Sequence, residues 1–174
     1  MHHQKILRLT IAALLVAIDV VTSPLFRIEG LAPMSSVLNV IIGVLVNPLY
    51  AFIITLMTGA IRMLILGIPP LALTGAVFGG VLASLFYQFS SKIKLAWLGE
   101  IIGTGIIGSL LSYPVMIIFT GTKNNLYWFL YTPRFLLATL VGGFLGVMVV
   151  SILLKMPHFL RIQALFKTTK KTGK

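Results

Sequence analysis

Phe135-Leu-Leu-Ala-Thr-Leu-Val-Gly-Gly-Phe-Leu-Gly-Val-Met-Val-Val-Ser-Ile-Leu-Leu154 is a run of 20 residues without a charged side chain. A helix needs about 20 residues to cross a hydrocarbon core of about 30 Å, so this stretch alone predicts a membrane-spanning helix. The rest of the chain reads the same way. Of its 174 residues 58% are apolar and 10% charged, and the mean hydropathy is +1.05; a soluble domain of this size carries roughly a quarter charged residues. Gly, Pro, Asn and charged residues divide the chain into apolar runs at 6–25, 34–46, 49–66, 71–89, 95–119 and 135–154. The expected fold is therefore an all-α integral membrane protein, a bundle of six transmembrane helices in one membrane domain, with a basic tail over 155–174. The second run is short, reaching only about 20 Å, and is expected to be tilted or half-buried and shielded from lipid by its neighbours.

The loops give an orientation. Lys5 and Arg8, Lys92 and Lys94, and the tail bases Lys155, Arg161, Lys167, Lys170, Lys171 and Lys174 all fall on one side of a six-span bundle. Arg27, Lys123 and, near span ends, Arg62 and Arg134 fall on the other. Basic loops stay inside, so both termini are expected in the cytoplasm and the protein in the cell membrane, with the tail solvated or bound to lipid headgroups. The formal charge of +11 comes from 14 bases spread between apolar runs. A nucleic-acid module gathers its bases on one polar face, so no nucleic-acid partner is expected. A cleavable signal peptide is disfavoured, because no small-x-small site follows the first run and Asp19 interrupts it.

Several chemistries lack the residues they need. There is no cysteine, hence no disulfide, thiolate metal site or thiol nucleophile. His2, His3 and His158 lie at or beyond span ends, so no metal site, hydrolase triad or other catalytic site is expected, and no cofactor either. No G-x-x-x-x-G-K-[ST] occurs, so the chain does not hydrolyse ATP through a P-loop. Gly103-Thr-Gly-Ile-Ile-Gly108 matches the dinucleotide fingerprint in letters, but its flanks are membrane-apolar and no acid follows Glu100. The same glycines have a membrane reading. Gly75-xxx-Gly79, Gly99-xxx-Gly103 and Gly142-xxx-Gly146 are spacings that let helix backbones approach closely. Gly105, Gly108, Ser109 and Ser112 form one small, polar stripe, expected to face protein or a cavity.

Polar groups inside spans are costly and by default mark a site or an internal pair. Depth read from the orientation puts Asp19, Asn39, Arg62, Thr74, Ser112, Tyr113 and Arg134 at mid-depth or in the outer half. The outer loop Thr122-Lys-Asn-Asn-Leu-Tyr-Trp-Phe-Leu-Tyr131 adds amides and aromatics. The expected substrate site is an outward-facing pocket of Asn39, Arg62, Thr74, Ser112, Tyr113, Trp128, Tyr131 and Arg134. Two plainer readings stand beside it: Asp19 and Arg62 neutralise each other, and Tyr127, Trp128 and Tyr131 form an interfacial belt. Glu100, in the inner half, either pairs with a loop lysine, caps a structural network or reaches the bottom of the pocket. In the first span Ala13-xxx-Ala17 leaves a flat patch.

Leu31-Ala-Pro-Met-Ser-Ser-Val-Leu-Asn39, Ile61-Arg-Met-Leu-Ile-Leu-Gly-Ile-Pro-Pro-Leu-Ala-Leu-Thr-Gly-Ala76 and Leu98-Gly-Glu-Ile-Ile-Gly-Thr-Gly-Ile-Ile-Gly-Ser-Leu-Leu-Ser-Tyr-Pro114 resemble the ThiW family. The resemblance implies the substrate-binding (S) subunit of an energy-coupling-factor (ECF) transporter, taking up the thiamine precursor hydroxyethylthiazole, with thiamine or a pyrimidine precursor as the alternative. It further implies a transmembrane coupling subunit docked on Ala13 and Ala17, two cytoplasmic ATPase subunits, and a binding subunit that topples in the membrane. Such a ligand is small and largely neutral, so an apolar pocket with few polar groups is expected. A lipid-modifying membrane enzyme is the reading from a different class. Three scattered acids, Asp19, Glu29 and Glu100, supply it poorly with metal and phosphate ligands.

Overall fold

The computed structural model describes residues 2–27, 31–121 and 127–166. All regular structure among them is helical. The helices are α1 (His2–Leu25), α2 (Pro33–Leu45), α3 (Pro48–Leu64), α4 (Leu71–Ser90), α5 (Ile93–Thr120), α6 (Thr132–Leu153) and α7 (Pro157–Phe166). Helices α1, α4, α5 and α6 are long and apolar enough to cross a membrane, whereas α2 and α3 have 13 and 17 residues. The six apolar runs thus coincide with α1 to α6 to within a few residues.

A seventh helix corrects the reading of 155–174 as a free basic tail. Phe159, Gln163 and Phe166 recur at i, i+4 and i+7, so one face of α7 is buried. Phe166 meets the Tyr50 ring edge-on at 4.9 Å. Gln163 Nε2 donates to the Val44 carbonyl at 2.8 Å and to Tyr87 Oη at 3.2 Å. Val44 belongs to the last turn of α2, whose carbonyls lack helical partners, so α7 caps α2 from outside its sequence. Ser84 Oγ does the same for Val46, at 2.7 Å. The side chain of Asn47 then accepts from Tyr50 N at 3.0 Å and starts α3.

Short α2 is the hub of the bundle. Ser36, Val37, Leu38, Asn39, Val40, Ile42 and Val44 are all buried, with α4, α5 and α6 packed around it. Between apolar helices in lipid, packing and hydrogen bonds hold the contact because no hydrophobic gradient exists. Small residues therefore set the spacing. A Cβ added at Gly142 would run into the Pro33 backbone, and one at Gly146 would stand 3.0 Å from Val40 Cβ. A Cβ at Gly99 would meet the Leu82 backbone, and one at Gly103 the backbone of Phe78 and Gly79. The glycine pairs of α5 and α6 are thus the crossing points of α5 on α4 and of α6 on α2.

Helix α5 changes gauge midway, with Ile101–Gly108 wound as a π-helix between α-helical Ile93–Glu100 and Ser109–Thr120. Pro114, inside the following segment, has no N–H for the helical ladder. Gly105, Gly108, Ser109 and Ser112 are all buried, so the stripe does face protein. Chain direction alternates through the bundle. One end gathers the start of α1, the end of α2, the α4–α5 turn and α7. The opposite end gathers the starts of α2, α4 and α6.

Candidate substrate cavity

At that opposite end lies a cavity with about 50 Å³ of space for the centres of water molecules. Six helices build it. Pro24 and Arg27 come from the end of α1, Ala32, Ser35 and Ser36 from the start of α2, and Arg62 from α3. Ile68 of the α3–α4 loop joins Leu71, Ala72, Gly75 and Ala76 of α4, and α6 supplies Arg134, Phe135 and Ala138. The π-helical segment of α5 contributes Thr104. Most of the lining is apolar, with hydroxyls low in the cavity and guanidinium groups around it.

Arg62 is held in place by three helices. It is 3% exposed, its Nη1 donates to Ser35 Oγ at 3.4 Å and lies 3.8 Å from Asp19 Oδ1, and Asp19 is fully buried. Ser23, one turn after Asp19, donates to the same carboxylate oxygen. Mutual neutralisation of Asp19 and Arg62 is therefore real, and Arg62 also faces the cavity. Its Nε and Asp19 Oδ2 have no hydrogen-bond partner.

Behind the cavity hydroxyls sits a second polar cluster. Glu100 is fully buried, accepts from Asn39 Nδ2 at 3.3 Å, and lies 2.9 Å from Thr104 Oγ1, which is also 2.8 Å from the Gly75 carbonyl oxygen. Of the three readings of Glu100, the structure supports the network: it ties α2 to α4 and α5, one layer beneath Ser36 and Thr104 of the cavity. Glycine makes room for it, because a Cβ at Gly79 would collide with Thr104 Oγ1 and Glu100 Oε2 and stand 2.7 Å from Asn39 Nδ2.

Of the residues expected in the pocket, Arg62 and Arg134 line it and Asn39 lies just below. Thr74 and Ser112 satisfy each other at 2.8 Å across α4 and α5, and neither reaches the lining. Tyr113 and Trp128 pack ring against ring at 4.7 Å, with Trp128 53% exposed; with Tyr131 at the N-cap of α6 they stand outside the cavity. Of the amide-rich loop, 122–126 lies outside the described residues, as do Glu29, Lys123 and the tail bases from Lys167 on. Sequence reading passed over Arg27, Ser35, Ser36, Thr104 and Phe135. Ser35 and Ser36 were visible as two hydroxyls just inside a helix start, and Arg27 as a base beside a Pro-terminated span.

The fold and cavity define an all-helical protein built for lipid among the described residues, with a small, mostly apolar cavity at one end of the bundle. The chain belongs to the ThiW family, thiamine-precursor transporter proteins, whose family model matches residues 9–156. It is accordingly a membrane transport protein with a small-molecule substrate. No curated protein and no solved structure matches it.

Proposed function

We propose that this chain is the high-affinity S subunit of an ECF-type uptake transporter in the cell membrane, and that its substrate is the thiazole precursor of thiamine, hydroxyethylthiazole. The cavity carries this reading: it is mostly apolar, has one aromatic wall in Phe135, and ends in hydroxyls and guanidinium groups, the arrangement that orients a small ring compound. Phe135 offers the face on which a ring stacks, and Ser35, Ser36, Thr104 and Arg62 are within the lining to meet a ring nitrogen and a hydroxyl. The ligand needs more room than a few waters, each of about 10–15 Å³ on this scale, so binding swings Arg27 and Arg134, both exposed, away from the mouth.

Six spans with both termini in the cytoplasm place the cavity on the outer side. Support comes from Lys5, Arg8, Lys92, Lys94, Lys155 and Arg161, which gather at the end opposite the cavity. Transport energy comes from two separate ATPase subunits through a transmembrane coupling subunit, since this sequence has no P-loop. Ala13 and Ala17 are exposed on α1, on a face that leaves Ala12 and Asp19 buried, and are open to a partner helix. The deciding measurement is thermal stabilisation of the purified protein by a panel of thiazoles, pyrimidines and thiamine. Stabilisation by hydroxyethylthiazole, lost in Phe135→Ala, is the expected result. Binding of thiamine or a pyrimidine without any thiazole moves the substrate and keeps the transporter, and silence across the panel removes the reading.

A further inference from the structure

The charge of the cavity is one-sided. Arg27, Arg62 and Arg134 line it, and among the described residues no Asp or Glu does. Asp19 offsets Arg62 from behind, at 3.8 Å, and is the only acid in an ion pair among the described residues. Arg27 and Arg134 have no acid partner among the described residues, and the buried Arg62 has a free Nε. Backbone adds to this. The first turns of α2, α4 and α6 all border the cavity, and their N-caps, Ala32, Pro70 and Tyr131, make no side-chain capping hydrogen bond. Helix N-termini are the positive ends of their dipoles and ready anion sites. The C-terminal ends of α1 and α3 reach the same end, and Arg27 and Arg62 stand there beside them.

We propose that this cavity selects a small ring compound carrying a compact anion, a carboxylate or a phosphate monoester, seated between Arg62, Arg27 and Arg134. The proposal rests on reading the cavity as the substrate site and sharpens it: the anionic form of the precursor is preferred to the neutral alcohol. A hydroxyl takes a single hydrogen bond from a guanidinium and carries no charge of its own. An anion takes two charge-assisted ones in the planar fork and is attracted by the other arginines as well. The apolar walls, Phe135, Ala138, Ala76 and Ile68, leave the ring end uncharged. A lipid phosphate offers the same anion, so the test separates it from a soluble one.

The full chain in nanodiscs of zwitterionic lipid is titrated calorimetrically with hydroxyethylthiazole, its phosphate monoester, the thiazole acid with a carboxylate in place of the hydroxymethyl group, and inorganic phosphate. Both ring anions are expected to bind at least about tenfold tighter than the alcohol, the gain of a second, bidentate hydrogen bond and of attraction between opposite charges. That advantage shrinks in 1 M salt, which shortens the screening length to about 3 Å. Arg27→Ala and Arg134→Ala, both at exposed positions that fold safely, each lower anion affinity more than alcohol affinity. Equal affinity for alcohol and anions, or an undiminished anion preference in the Arg27→Ala/Arg134→Ala double variant, overturns the proposal while the transporter reading stands. If no ring compound binds and only inorganic phosphate, or phosphatidylglycerol added to the discs, is held, both fall and the arginines form a headgroup seat.

Discussion

Glu100 shows how one side chain organises a bundle in lipid. Its carboxyl joins Asn39 and Thr104 from two other helical segments, and Asn39 Nδ2 left alone would be a buried donor without that mate. Glu100→Ala is expected to destabilise the protein by about 1–3 kcal/mol for each hydrogen bond stranded. Glu100→Gln, which keeps shape and an acceptor, costs less, and thermal unfolding in detergent ranks the two. Arg62→Ala leaves Asp19 buried with Ser23 alone, a loss of about 3–5 kcal/mol. Asp19→Asn in the same chain recovers much of it, and failure of that rescue would show that the pair does not hold α3 to α1. Sequence made Arg62 and Arg134 legible as residues of the cavity wall because charge inside or beside a span always requires an explanation. It gave no such signal for Phe135, one apolar residue in a run of them, and Thr74 and Ser112 looked like ligand groups only because their contact across α4 and α5 has no one-dimensional trace.

Elements were legible to the extent that apolar length defines them. Runs bounded by Pro, Gly and charge become α1 to α6 because a buried or lipid-facing backbone must close its own hydrogen bonds. Helix α7 escaped because it is only 10 residues long, its buried face includes the polar Gln163 and it lies among bases, so composition outweighed period. Its contribution is testable. Gln163→Ala strands the last-turn carbonyl of Val44 and is expected to lower stability by about 1–3 kcal/mol, read by thermal unfolding, whereas Leu160→Ala on the exposed side of α7 has little effect. On α1 the expectation concerns assembly. Ala13→Trp with Ala17→Trp fills the exposed flat strip and, on the proposed ECF assembly, abolishes co-purification with the coupling subunit while ligand binding persists. Assembly at normal yield would remove that strip as the docking face.

At the scale of the molecule, the alternation of helix directions and the placement of charge make one joint statement about sidedness. The cavity opens at the end where α2, α4 and α6 begin, and the turn with Lys92 and Lys94 lies at the other. A bundle that takes up substrate from outside must present the cavity there, and basic segments resist translocation, so the two criteria have to agree. They are independent, because one follows from packing and the other from loop composition. The chain has no cysteine, so single cysteines report without background. Leu66→Cys, exposed in the turn after α3 on the cavity side, is expected to react with a membrane-impermeant maleimide on intact cells. Lys94→Cys, exposed at the start of α5, is expected to react only after permeabilisation. The reverse pattern would face the cavity inward and argue for release or export. Labelling of both from outside would mean that α4, the helix between the two positions, does not cross the membrane, and the six-span topology would fall.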